Sequence, residues 1–95
     1  MAKFEVKAKI WAEGRFFVIK SDELGITTQG ETAAEARENF IDALKLSLKD
    51  PDFKKRIEAK YGFGSAKSFD AKVELVGNVV EAPRNFGFRI NQAVR

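Results

Sequence analysis

Gly25-Ile26-Thr27-Thr28-Gln29-Gly30 runs straight into Glu31-Thr32-Ala33-Ala34-Glu35-Ala36, and this junction decides the fold. Ile26, Thr27 and Thr28 are all β-branched, so residues 25–29 read as a short strand. Thr32 is a good N-cap, and Glu35 three residues later completes a capping box that opens a helix. Gly30 between the two lets the chain turn sharply. Downstream, Ala33, Ala36, Phe40, Ala43, Leu44 and Leu48 recur at i, i+3, i+4 spacing and form one apolar stripe. Glu31, Glu35 and Glu38 near the start and Lys45 and Lys49 near the end suit the helix macrodipole. The junction therefore predicts a helix lying on one face of a sheet.

Working outward, Asp50-Pro51 restarts the chain as an N-cap with proline at the first helical position. A second, shorter helix runs to about Lys60, with Phe53, Ile57 and Tyr61 on its apolar side, and Gly62-Phe63-Gly64-Ser65 ends it. Towards the N-terminus, Phe4, Val6, Ala8 and Ile10 alternate with Glu5, Lys7 and Lys9, the period of a strand with one wet face. Ala12-Glu13-Gly14 reads as a hairpin turn. Phe16-Phe17-Val18-Ile19 lacks alternation, which predicts a strand covered on both faces. Residues 72–80 read as a fourth strand, with Val73, Leu75 and Gly77 on one face and Val76 opposite. Pro83 then interrupts pairing. Phe86, Phe88 and Ile90 alternate with Gly87 and Arg89, giving a fifth strand over residues 85–91. The expectation is a single α+β domain over residues 1–95, ordered β-β-β-α-α-β-β. It is a two-layer sandwich of a mostly antiparallel sheet with the helices on one face.

Composition sets limits on function. The chain has 95 residues, 44% hydrophobic and 33% charged, which is globular in character. It contains no His and no Cys. That removes the Cys nucleophile, the His general base and nearly every structural zinc site. Charges interrupt residues 1–9, unlike a signal peptide, and no uncharged run could cross a bilayer. A cytoplasmic protein with no membrane partner is expected. The net charge of +3 is carried mainly by residues 45–60 and 84–95. High charge with few thermolabile residues also hints at a thermophilic source.

Residues 14–36 carry a longer pattern. Gly14-Arg15-Phe16-Phe17-Val18-Ile19-Lys20-Ser21-Asp22 leads through Glu23-Leu24-Gly25 into the junction quoted above. This resembles the HicB antitoxin family. That family has a Gly-Gly-Tyr-type hairpin, an Asp-Leu-Pro-Gly turn, a strand ending Thr-x-Gly-Asp-Thr, and a helix opening x-x-Glu-Ala. Asp22, Gly25, Thr28, Gly30, Thr32, Glu35 and Ala36 fall at matching positions, and Glu31 is a conservative replacement. With the first strand the similarity covers about residues 3–48, leaving residues 50–95 as a short helix plus C-terminal strands. Two departures stand out. Glu23-Leu24 replaces Leu-Pro before the turn glycine, and no strand-helix-helix order for a ribbon-helix-helix module fits after Gly62. The resemblance implies a degenerate RNase H-like domain without nuclease chemistry. Such a domain neutralises a small mRNA-cleaving toxin by covering its active site.

The carboxylates Glu5, Asp22, Glu23, Glu31, Glu35 and Glu38 show no convergent pair on a strand and read as solvated charges and caps. No catalytic, metal or cofactor site is expected. Lys54-Lys55-Arg56, with Lys49 and Lys60, forms a basic run, and Arg84 and Arg89 flank Phe86 and Phe88. Lys54, Lys55, Arg56, Arg84 and Arg89 are candidate nucleic-acid contacts. The simpler readings are a solvated helix face and two core phenylalanines. The leading expectation is a non-catalytic inhibitor that binds a small basic protein, itself as a homodimer, or both. The alternative is a small basic nucleic-acid-binding module without catalysis.

Overall fold

The alternation in residues 4–10 becomes a strand whose Phe4, Val6, Ala8 and Ile10 are buried while Glu5, Lys7 and Lys9 are exposed. It is the middle strand of the sheet in a computed structural model that describes residues 4–62, 68–77 and 85–91. The elements are β1 (Phe4–Glu13), β2 (Phe16–Ser21), β3 (Ile26–Gly30), α1 (Ala33–Ser47), α2 (Pro51–Tyr61), β4 (Ser68–Val76) and β5 (Asn85–Asn91). The sheet order is β3-β2-β1-β4-β5.

The α+β class and the order of elements stand as expected. The sheet is mixed: three pairings are antiparallel, but β4 runs parallel to β1, with Phe4 beside Ala71 and Val6 beside Val73. The cause is the connection. A parallel neighbour needs a crossover of a dozen residues or more, and α1 and α2 together carry the chain back to the end of the sheet where β1 begins. The crossover helices then pack on one side. Ala33, Ala36, Phe40 and Leu44 of α1 and Ile57 of α2 join the inward side chains of the strands in one core. Phe40 meets Phe86 of β5 edge-on at 6.4 Å, and Phe4 meets Tyr61 at 4.6 Å. Burying a phenylalanine or leucine of this kind stabilises by roughly 2–3 kcal/mol each.

Three local expectations are corrected. Gly30 does not take a left-handed conformation. It is glycine because a Cβ there would lie 2.5 Å from the Ala36 backbone nitrogen, so it permits the first turn of α1 to press against β3. Glu35 does not close a capping box on Thr32: its backbone N–H donates to Thr32 Oγ1 at 3.0 Å, but its carboxylate accepts the N–H of Glu31 at 2.6 Å rather than that of Thr32. β4 spans residues 68–76 rather than 72–80, and Gly77 just past it lies where a Cβ would meet the Ile10 carbonyl. Residues 78–80 of the expected strand lie outside the described residues. The hairpin between β1 and β2 uses Gly14 with φ 61 and Arg15 without positive φ, the II′ pattern that matches strand twist.

Candidate binding surface

Register assigns every strand residue to a face. Away from the helices lie Glu5, Lys7, Lys9, Trp11 and Glu13 of β1, Phe16, Val18 and Lys20 of β2, and Asp70, Lys72, Glu74 and Val76 of β4. Both sides of β2 were expected to be covered. The outer side is covered only in part: Phe16 is 38% exposed. Val18 is buried there, with Trp11 as its cross-strand partner supplying bulk beside it. Trp11 is half-buried and its Nε1 donates to Glu13 Oε1 at 3.0 Å. Val76, 54% exposed, is the register partner of Lys9 on the other flank of β1. One end of the outer face therefore gathers Trp11, Phe16, Val18 and Val76. The signal in the sequence was a large ring at Trp11 in the wet phase of the β1 alternation.

The other end of that face is ionic. Glu5 stands beside Lys72 and Lys7 beside Glu74, opposite charges on parallel strands. Arg89 of β5 grips Asp70 of β4 through Nε at 3.2 Å and Nη2 at 3.1 Å. Glu5, Lys7, Lys72, Glu74, Glu23 and Asn85 border a cleft of about 430 Å³. Each carboxylate there has a lysine or backbone N–H next to it, and among the described residues no three acidic side chains are grouped to hold a metal ion.

Glu23 was read as a solvated turn residue. The structure makes it a junction instead. Its carboxylate accepts the Lys7 backbone N–H at 3.3 Å and the Tyr61 hydroxyl at 3.1 Å, and lies 3.2 Å from Lys60 Nζ. Burial alone would raise the pKa of Glu23, but these hydrogen bonds and the Lys60 charge together lower it below the ordinary value. Burial and the same carboxylate push Tyr61 up to about 12.

The residues of the resemblance run from the turn after β2 through β3 into the start of α1. Asp22 sits 3.7 Å from Lys20 Nζ and 4.0 Å from Lys9 Nζ. Gly25 has φ 69, and its N–H reaches the Ser21 carbonyl at 2.8 Å. Buried Ser21 closes the same turn, its Oγ accepting from the Leu24 N–H at 3.2 Å. Thr28 donates to the Ala36 carbonyl at 3.2 Å, tying β3 to α1. Thr32 caps α1.

The candidate nucleic-acid contacts are not brought together. Lys54, Lys55 and Arg56 lie on α2 in the helix layer, where Arg56 stacks over Phe53 at 5.2 Å and reaches the Glu23 carbonyl at 3.5 Å. Arg89 lies on the opposite face, paired with Asp70. Arg84 lies outside the described residues. Among the described residues no helix is long and apolar enough to cross a membrane. No family model, curated protein or solved structure matches the chain.

Proposed function

We propose that this domain is a non-catalytic binding protein, similar to a HicB-type antitoxin, that neutralises a small mRNA-cleaving toxin by protein–protein contact in the cytoplasm. The observation that carries the reading is the open outer face of the sheet. Trp11, Phe16 and Val76 lie at one end of it around buried Val18, bordered by charges of both signs. Aromatic and aliphatic anchors inside a polar surround are what a protein interface is built from. The quoted family residues support the same reading, because they build the turn and capped helix that join β2, β3 and α1 behind this face.

The test is a tagged pull-down from lysate of the native organism, with and without RNase, followed by an RNA-cleavage assay on what is recovered. The reading expects a stoichiometric small basic protein that survives RNase, cleaves RNA when freed, and is silent in the complex. Recovery of nucleic acid alone, lost on RNase treatment or at raised salt, would replace this reading with the nucleic-acid-binding one.

A further inference from the structure

The two edges of the sheet are unlike. At β3 the adjoining helix closes the edge: α1 packs along the strand, and Asn39 Nδ2 donates to the Gln29 carbonyl at 2.8 Å. At β5, among the described residues, no strand pairs beyond it and no side chain bonds its backbone. Natural edges are guarded by proline, lysine or a bulge. β5 has neither proline nor lysine, and its one charge, Arg89, is held within its own sheet by Asp70. On the core side its Phe86 and Phe88 rings stack at 6.1 Å and stay only half-buried.

The strand is also symmetric in character about its centre. Phe88 is flanked by Gly87 and Arg89, then by the apolar pair Phe86 and Ile90, then by Asn85 and Asn91. We propose that β5 is a homodimer edge, pairing antiparallel with β5 of a second copy about a two-fold axis at Phe88. This register sets Phe88 against Phe88, Phe86 against Ile90, and Asn85 against Asn91. Every apolar side chain stays on the core face, and the two sheets become continuous. Charge selects the same register. Each Arg89 faces Gly87 of the other copy, whereas an axis at Arg89 would oppose two guanidinium groups. An axis at Gly87 would leave Ile90 and Asn91 without partners within the strand. The proposal concerns self-association only, so its failure leaves the toxin-binding reading as it stands.

Because the chain has no cysteine, single-cysteine variants can read the register. Directly opposed residues of antiparallel strands lie about 4.5–5.5 Å apart, within disulfide reach. Under mild oxidation Phe88→Cys is expected to give a covalent dimer by itself. Asn85→Cys and Asn91→Cys are expected to cross-link with each other on mixing and only weakly alone, which keeps the test independent of how Phe88→Cys folds. Analytical ultracentrifugation supplies the second arm. Gly87 is exposed, and a Cβ there meets nothing closer than the Ala71 carbonyl at 3.4 Å. Gly87→Glu, facing Arg89 of the other copy, should tighten the dimer about 2–5-fold, and Gly87→Lys should loosen it by a similar factor. A wild-type chain that stays monomeric at its highest soluble concentration overturns the proposal. So does a dimer whose cross-linking at these positions does not exceed that of Lys55→Cys on α2.

Discussion

The hydroxyl of Tyr61, at the last residue of α2, donates to the carboxylate of Glu23 in the β2–β3 turn across 38 positions of sequence. Lys7 of β1 and Lys60 of α2 complete the same carboxylate's surroundings. One side chain thus joins the helix layer to the middle strand and to a turn of the sheet. It also gives the fold a pH signature at both ends of the scale. The folded-state pKa of Glu23 is lowered, so its contribution is complete above its ordinary value of 4.5 and fades as pH falls through the folded value. The folded-state pKa of Tyr61 is raised, so its contribution is complete below 10 and fades as pH rises from there towards about 12. Tyr61→Phe should cost about 1 kcal/mol at neutral pH, a partly exposed hydrogen bond's worth. It should also flatten the alkaline loss of stability, and Glu23→Gln should flatten the acid one. Urea unfolding of the three proteins across pH measures this. Parallel pH profiles for wild type and Tyr61→Phe would show that the contact contributes nothing.

Close approach of backbone makes a second prediction. Gly30→Ala places a methyl group 2.5 Å from the Ala36 nitrogen and 2.9 Å from the Glu35 carbonyl carbon. Those are backbone atoms of a packed helix and cannot swing aside. A loss of roughly 1–3 kcal/mol is expected. Gly87→Ala, on an exposed position with ordinary contact, should stay within about 0.5 kcal/mol of wild type. Equal midpoints for the two variants in chemical denaturation would refute this account of Gly30.

At the start of α1, Thr32 Oγ1 accepts the Glu35 N–H at 3.0 Å. Thr32→Ala should therefore cost about 1 kcal/mol, and Thr32→Ser should restore nearly all of it. Glu35→Ala should cost less than Thr32→Ala. Its carboxylate serves the Glu31 N–H, outside the helix proper, and both groups are exposed. Thermal melts of the three variants rank these effects directly.

Local chemistry was readable from the chain alone. The alternation of residues 4–10, the Thr32 and Asp50 caps and the span of β5 all appear in the fold as the residues imply. What stayed hidden depends on residues distant in sequence. Nothing near Glu23 announces that Tyr61 will meet it, because that contact exists only once α2 has crossed the sheet. The parallel pairing of β1 and β4 likewise follows from where the crossover delivers the chain, not from either strand's pattern. Gly30 was read for conformational freedom when its reason is proximity, and proximity is a property of the packed helix. On the outer face, the run Phe16-Phe17-Val18-Ile19 suggested a second covering layer. The structure buries Val18 on that side but leaves Phe16 exposed beside it, and part of the apolar excess becomes a surface feature.

That surface feature yields the last prediction. Phe16 and Val76 are the exposed large apolar residues of the outer face, so Phe16→Glu and Val76→Lys leave the main core cluster intact and should leave the melting temperature within about 10 °C of wild type. If the cluster anchors a protein partner, either change should weaken capture of that partner at least tenfold, the loss typical of an interface anchor. Leu46 provides the control. It is 68% exposed but lies on α1, in the helix layer on the other side of the sheet. Leu46→Glu should bind like wild type. Trp11, the single tryptophan, reports from inside the cluster, so partner binding should shift its emission to the blue as water leaves the ring. The opposite pattern, with capture lost in Leu46→Glu and kept in Phe16→Glu, would move the contact to the helix layer and leave the apolar end of the sheet without a role in binding.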